Sequence, residues 1–152
     1  MDISLIKQAA LFADLDDKEL ERIAEICQEQ KFRSAHTIFK ENEPGNRLYI
    51  IAEGEVRISR DVPGSGEEAL AVLKKGACFG EMAVFDRSSR STDAIANTDC
   101  DLITITRSDF EMLLDFERDL AYKILWSVVR LLSERLRVTN DNLRSFLAMS
   151  MF

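Results

Sequence analysis

Histidine occurs once in this chain of 152 residues, proline twice and cysteine three times. Each scarcity removes a class of function. Zinc enzymes draw on several imidazole ligands, and a Ser-His-Asp triad needs a histidine as its base. His36 would have to serve alone, and it sits in the polar stretch RSAHT, which suits a turn or a strand edge. Cys27, Cys78 and Cys100 are odd in number, far apart and without a CxxC pair. That excludes a disulfide framework and a metal knuckle, and leaves them as small core residues. With no nucleophile–base pair and no metal cluster in the sequence, neither an enzyme nor a bound cofactor or metal is expected.

Long apolar runs are also missing. No stretch approaches the roughly 18–20 residues needed to cross a bilayer, and MDISLIKQAA has neither the basic start nor the long apolar core of a secretion signal. A cytoplasmic location is expected. Basic charge is outweighed: 20 Lys and Arg face 27 Asp and Glu, a formal net charge of −7. Such a surface repels phosphate backbones, so nucleic acid is not the expected partner.

What the chain does contain is 46% hydrophobic and 31% charged residues, enough for one globular core with an extension. Residues 14–30, DLDDKELERIAEICQEQ, place Leu20, Ile23, Ala24 and Cys27 at helical spacing behind an aspartate-rich start. This predicts a helix. From Lys31 to Thr106 the pattern becomes short β-type runs: TIF (37–39), LYIIAEG (48–54), EVRISR (55–60), ALAVL (69–73), TDAIA (92–96) and DLITIT (101–106). Turn signals such as EPGN (43–46) and PGSG (63–66) separate them. Short strands with no helical pattern between most of them argue for a sandwich or a jelly-roll barrel rather than a parallel sheet.

Beyond Arg107 the helical period returns. SDFEMLL opens with a Ser or Asp cap, and between Asp119 and Met149 there is no Pro or Gly. Tyr122, Leu125, Val129, Leu132, Leu136, Thr139, Leu143 and Phe146 alternate in steps of three and four, the seam of a coiled coil. At 1.5 Å per residue this helix is roughly 45 Å long, so it projects from a small barrel and calls for a partner, most simply a second copy. Thr139, polar on an apolar seam, either sets register or binds something. The expected organisation is therefore a helical segment over 1–30, a β-barrel core over 31–106, and C-terminal helices with a long dimerisation helix over 107–152.

One segment interrupts the strands: FGEMAVFDRSSRST, residues 79–92. Gly80 permits close backbone approach, and a turn opening at Glu81 aims backbone N–H groups toward an anion. Arg90 adds a planar guanidinium suited to a phosphate, Ser91 a hydroxyl, and Glu81 an acceptor for a sugar hydroxyl. If Arg90 works only by hydrogen bonding from a loop, its removal should abolish phosphate affinity and leave the fold intact.

FGEMA followed by RST resembles the phosphate-binding cassette of cyclic nucleotide-binding domains. EPGNRLYIIAEGEVRI resembles that family's earlier hairpin, LFADLDDKELERIA its opening helix, and ERLRVTNDNL the dimerisation helix of the catabolite activator group. The resemblance implies a double-stranded β-helix (jelly-roll) barrel, mainly β with flanking helices, that binds a cyclic nucleotide without catalysis. It implies that Gly80 and Glu81 hold the ribose 2′-hydroxyl, that Met82 and Ala83 add backbone and apolar contact with Phe79 beside them, and that Arg90 and Ser91 hold the cyclic phosphate, with the Thr92 hydroxyl touching either the phosphate or only the strand. It further implies that Thr139 from the same subunit and Asn140 from the partner contact the adenine edge. Cyclic AMP is favoured, with cyclic GMP the alternative because the two share ribose and phosphate.

There are departures from the pattern. Ser89 stands where many relatives have proline, Thr92 where alanine is common, and Arg87 is either a second anion contact or a solvated loop charge. The transcription factors of this superfamily continue into a helix-turn-helix, whereas this sequence reaches SFLAMSMF without a second basic helix pair, so no DNA binding is expected. No N-terminal cysteine cluster supports iron–sulfur sensing. The expected role is a stand-alone homodimeric receptor signalling to an unknown downstream protein. A scaffold of the same fold with an empty or different pocket, and the truncated sensory part of a DNA-binding regulator, are the alternatives.

Overall fold

The computed structural model describes residues 2–151. Helix α1 (Ile3–Gln8) leads through a single 3₁₀ turn (Ala10–Phe12) to α2 (Asp17–Glu25). Eight strands follow: β1 (Gln28–Phe32), β2 (Thr37–Phe39), β3 (Arg47–Glu53), β4 (Val56–Val62), β5 (Gly66–Leu73), β6 (Cys78–Phe79), β7 (Asp93–Ala96) and β8 (Cys100–Thr106). Helix α3 (Glu81–Asp86) lies between β6 and β7, and α4 (Arg107–Phe116) and α5 (Arg118–Ser150) close the chain. The strands form two four-stranded sheets, ordered β1-β8-β3-β6 and β2-β7-β4-β5, with every pairing antiparallel. This is the expected fold, mainly β with flanking helices.

The apolar runs LYII and LITI are unbroken because β3 and β8 are covered on both faces. Leu48, Ile50, Ile103 and Ile105 pack with the helical residues Ile6, Phe12, Leu20, Ile23, Phe110 and Leu120. The alternate residues Tyr49, Ile51 and Leu102 join Phe39, Val56, Phe79 and Ala94 in a second core, drawn from both sheets. Successive side chains of a strand point to opposite faces, so one strand serves two cores.

The helix expected over 14–30 is shorter. Asp16 caps α2, its carboxylate accepting from the Glu19 N–H at 2.9 Å while Glu19 returns a bond to the Asp16 N–H. The helix ends at Glu25, and Gln28–Phe32 pair with β8 instead, Gln28 opposite Thr104. After Cys27 the sequence QEQ supplies no apolar residue to keep a helix on the core, whereas a strand there completes the sheet edge. Likewise α4 is capped by Thr106, whose hydroxyl accepts from the Asp109 N–H at 3.3 Å, rather than by Ser108 or Asp109.

Helix α5 runs for 33 residues. Leu120, Ile124 and Ser127 are buried against the body of the domain. The seam face is open: Leu132 is 44% and Leu136 61% exposed, and Tyr122, Leu125, Val129, Leu143 and Phe146 are exposed with them.

Candidate functional site

The site begins with an aromatic floor. Phe79 on β6 pairs with Tyr49 on β3, and their rings stack at 5.1 Å between centroids, with Phe39 of β2 beside both. Arg90 lies over this floor, its guanidinium carbon 4.2 Å from the centre of the Phe39 ring. The chain then turns at Gly80, whose left-handed φ of 76° favours glycine. A Cβ there would come within 2.7 Å of the Arg90 guanidinium. Glycine at this position thus serves both the turn and the seat of Arg90.

Arg90 is only 5% exposed. One terminal nitrogen donates to the Gly80 carbonyl at 2.8 Å and the other to the Arg47 carbonyl at 2.7 Å. Its backbone N–H donates to the Glu43 carbonyl, and its own carbonyl accepts from Asn42, which pins the loop against the β2–β3 turn. The buried Nε–H has no partner among the described residues. Burial pulls the guanidinium below its usual pKa, with Tyr49, Glu43 and Glu81 opposing the shift. The sequence suggested a loop arginine free to face a phosphate. The structure gives one that also clamps the start of β3 to the β6–α3 turn, and its removal therefore disturbs the fold.

A cleft of about 320 Å³ opens beside Arg90. Phe79, Gly80, Glu81, Met82 and Ala83 line one side of it. Arg90, Ser91 and Thr92 line the other, and Ile58 and Leu73 supply apolar wall from the β4–β5 hairpin. The eight residues expected from the 79–92 segment are thus brought together. Cys78 also borders the cleft, its thiol pushed up by burial and by the Glu81 charge.

Glu81 is 8% exposed, and its carboxylate is engaged by Arg135 of α5 at 2.7 Å. Arg135 reaches into the cleft, whereas Thr139 and Asn140 do not line it. Both are exposed, and the Thr139 hydroxyl donates to the Arg135 carbonyl at 2.8 Å along the helix. Sequence reasoning missed Arg135. The available signal was its position four residues before Thr139, hence on the same face of α5. Arg87 does not line this cleft; its exposed side chain pairs with Glu111 on α4. Among the described residues, no group of His, Cys, Asp and Glu is arranged to hold a metal ion. Among them, too, no helix is long and apolar enough to cross a membrane.

A two-sheet β-roll with flanking helices, concave at the turn after a short strand and edged by a buried arginine, defines a small-ligand-binding module of jelly-roll type. The chain belongs to the cyclic nucleotide-binding domain family, whose model matches residues 29–116. It is 30% identical over 139 residues to a CRP-like cAMP-activated global transcriptional regulator of Mycobacterium tuberculosis, covering 91% of this chain and 60% of that protein. It is 33% identical over 109 residues to the cyclic AMP receptor protein of Thermus thermophilus, covering 72% of this chain and 50% of that one. Among solved structures, the N-terminal domain of a transcriptional regulator from Streptomyces coelicolor superposes with a TM-score of 0.80 at 32% identity. That match covers 91% of this chain and 94% of the other. The chain thus spans 50–60% of the length of the two full-length relatives.

Proposed function

We propose that this chain is a cyclic nucleotide receptor, with cyclic AMP its preferred ligand, that acts as a cytoplasmic homodimer and signals to another protein without catalysing a reaction. The observation that carries the reading is the convergence of two buried ionisable groups, Glu81 and Arg90, on the walls of one cleft. Burying a charge is costly unless it is paired, and a built-in acceptor beside a built-in cation suits a ligand with a hydroxyl and an anion at fixed separation. Gly80 and Glu81 take the ribose. Arg90 offers the terminal N–H groups not bound to the Gly80 and Arg47 carbonyls to the cyclic phosphate, assisted by the Ser91 and Thr92 hydroxyls. Phe79, Met82 and Ala83 supply backbone and apolar contact.

The Glu81–Arg135 pair gives the ligand a route to α5. A ribose hydroxyl bonded to Glu81 competes with Arg135, so nucleotide favours arrangements in which α5 has shifted over the cleft. Such a shift brings Thr139, and Asn140 of a second copy, to the base. The open seam from Tyr122 to Phe146 supports pairing through α5. Both curated relatives are named for cyclic AMP, which favours adenine over guanine.

Competition against labelled cyclic AMP tests the assignment. The 2′-deoxy analogue, which lacks the hydroxyl meant for Glu81, should compete at least about tenfold more weakly, the value of one charge-assisted hydrogen bond. Equal competition by the two would remove Glu81 from the site. A second reading is favoured by the lengths above: the Mycobacterium relative is a transcriptional regulator, and this chain spans 60% of it. The chain would then be the sensory part of such a regulator, which sequencing the gene beyond Phe152 decides.

A further inference from the structure

The loop from Asp86 to Arg90 is anchored almost residue by residue. The Asp86 carboxylate accepts from both the N–H and the hydroxyl of Ser88, at 2.9 and 2.6 Å. Ser89 bridges to Pro44, and the Arg90 backbone is held by Asn42 and Glu43. These ties run within the loop or back to the β2–β3 turn. Arg87 is different. It ends α3 in a left-handed conformation, φ 57°, which a side-chain-bearing residue adopts reluctantly. One of its terminal nitrogens donates to both carboxylate oxygens of Glu111, each at 2.9 Å. Among the described residues, this is the polar contact that ties the loop to α4. Two residues before Arg87 and one before Glu111, Phe85 meets Phe110 edge-on at 5.7 Å.

We propose that Arg87 and Glu111 are positioning residues for the phosphate loop: their ion pair holds the end of α3 against α4, and so fixes where Ser88–Thr92 enter the cleft. The proposal rests on the nucleotide reading for its effect on affinity, but not for its effect on the loop. The pair is exposed, 65% at Arg87 and 41% at Glu111, so its influence is modest and falls as salt screens it. Because α4 is separated from α5 only by Glu117, a loop displaced by ligand would pull on the start of the long helix through this joint.

The experiment uses Glu111→Gln, Arg87→Gly and the charge reversal Arg87→Glu with Glu111→Arg, none of which alters a cleft-lining residue. Amide hydrogen exchange over 86–92 is followed in the ligand-free protein, and the cyclic AMP dissociation constant is measured at low and high salt. The joint predicts faster exchange at Ser88–Thr92 in Glu111→Gln and Arg87→Gly, recovered in the reversal. It also predicts about two- to fivefold weaker binding at low salt, converging with wild type at high salt. Arg87→Gly separates the tether from backbone strain, since relieving strain alone would leave exchange unchanged or slower. Wild-type exchange and affinity in Glu111→Gln would overturn the proposal. If the wild-type protein bound neither cyclic AMP nor cyclic GMP, the nucleotide reading would fall while exchange still decided the joint.

Discussion

Replacing Arg90 with alanine leaves the carbonyls of Gly80 and Arg47 without their donors, at 2.8 and 2.7 Å in the native protein, and removes the cation from the Phe39 ring. Each part-buried carbonyl left unpaired costs about 1–3 kcal/mol. The lost cation–π contact adds about 1 kcal/mol, and release of a buried charge from its desolvated site offsets part of the sum. The net loss should be about 3 kcal/mol, which for a domain of this size lowers the melting temperature by about 6–12 °C. Differential scanning calorimetry reads this directly, in parallel with nucleotide titration well below the transition, where binding should be undetectable. Arg90→Lys retains the charge but cannot fork between two carbonyls, and should fall between the two proteins in stability. A melting temperature within about 2 °C of wild type for Arg90→Ala would refute the clamp. Undiminished nucleotide affinity in that variant would refute the phosphate assignment.

Two further outcomes are expected. Leu132→Asp puts a charge on the open seam of α5 and should convert a dimer to monomers in sedimentation equilibrium; a variant that still sediments as a dimer would place the interface elsewhere. Asp16, held below its ordinary pKa of 3.8 by the Glu19 N–H it caps, stabilises the fold above that pH and ceases to as pH falls through its lowered folded value. Asp16→Ala should therefore melt below wild type at neutral pH, with the gap closing in acid below 3.8; a gap independent of pH would mean the cap contributes nothing through its charge.

Much of the fold was legible because burial leaves a pattern. LYII, DAIA and LITI read as strands since apolar and β-branched residues run together where both faces are covered, whereas TIF, EVRIS and AVL read from β-type residues between turn signals, AVL lying in a largely exposed strand. The seam of α5 read as a helix because it must present one apolar face. Strand β1 did not read, for QEQKF is a mostly polar edge, held by pairing with β8 and by Phe32 against the second core. Strand β6 is two residues long and exists because Phe79 stacks on Tyr49. The cassette was legible as a motif, since Gly80, Glu81 and Arg90 are each demanded by local chemistry. What a linear motif does not carry is who else reaches the site. Arg135 arrives from 54 positions beyond Glu81, and the two terminal nitrogens of Arg90 bond to backbone carbonyls that no sequence pattern marks.

Nucleotide binding is the central claim, and calorimetric titration of the purified protein with cyclic AMP and, separately, cyclic GMP tests it most directly. Saturable binding of one nucleotide per chain, tighter for cyclic AMP, is the expected result. Absence of heat with both nucleotides, together with an unchanged melting temperature in protein shown free of co-purified ligand, would contradict it.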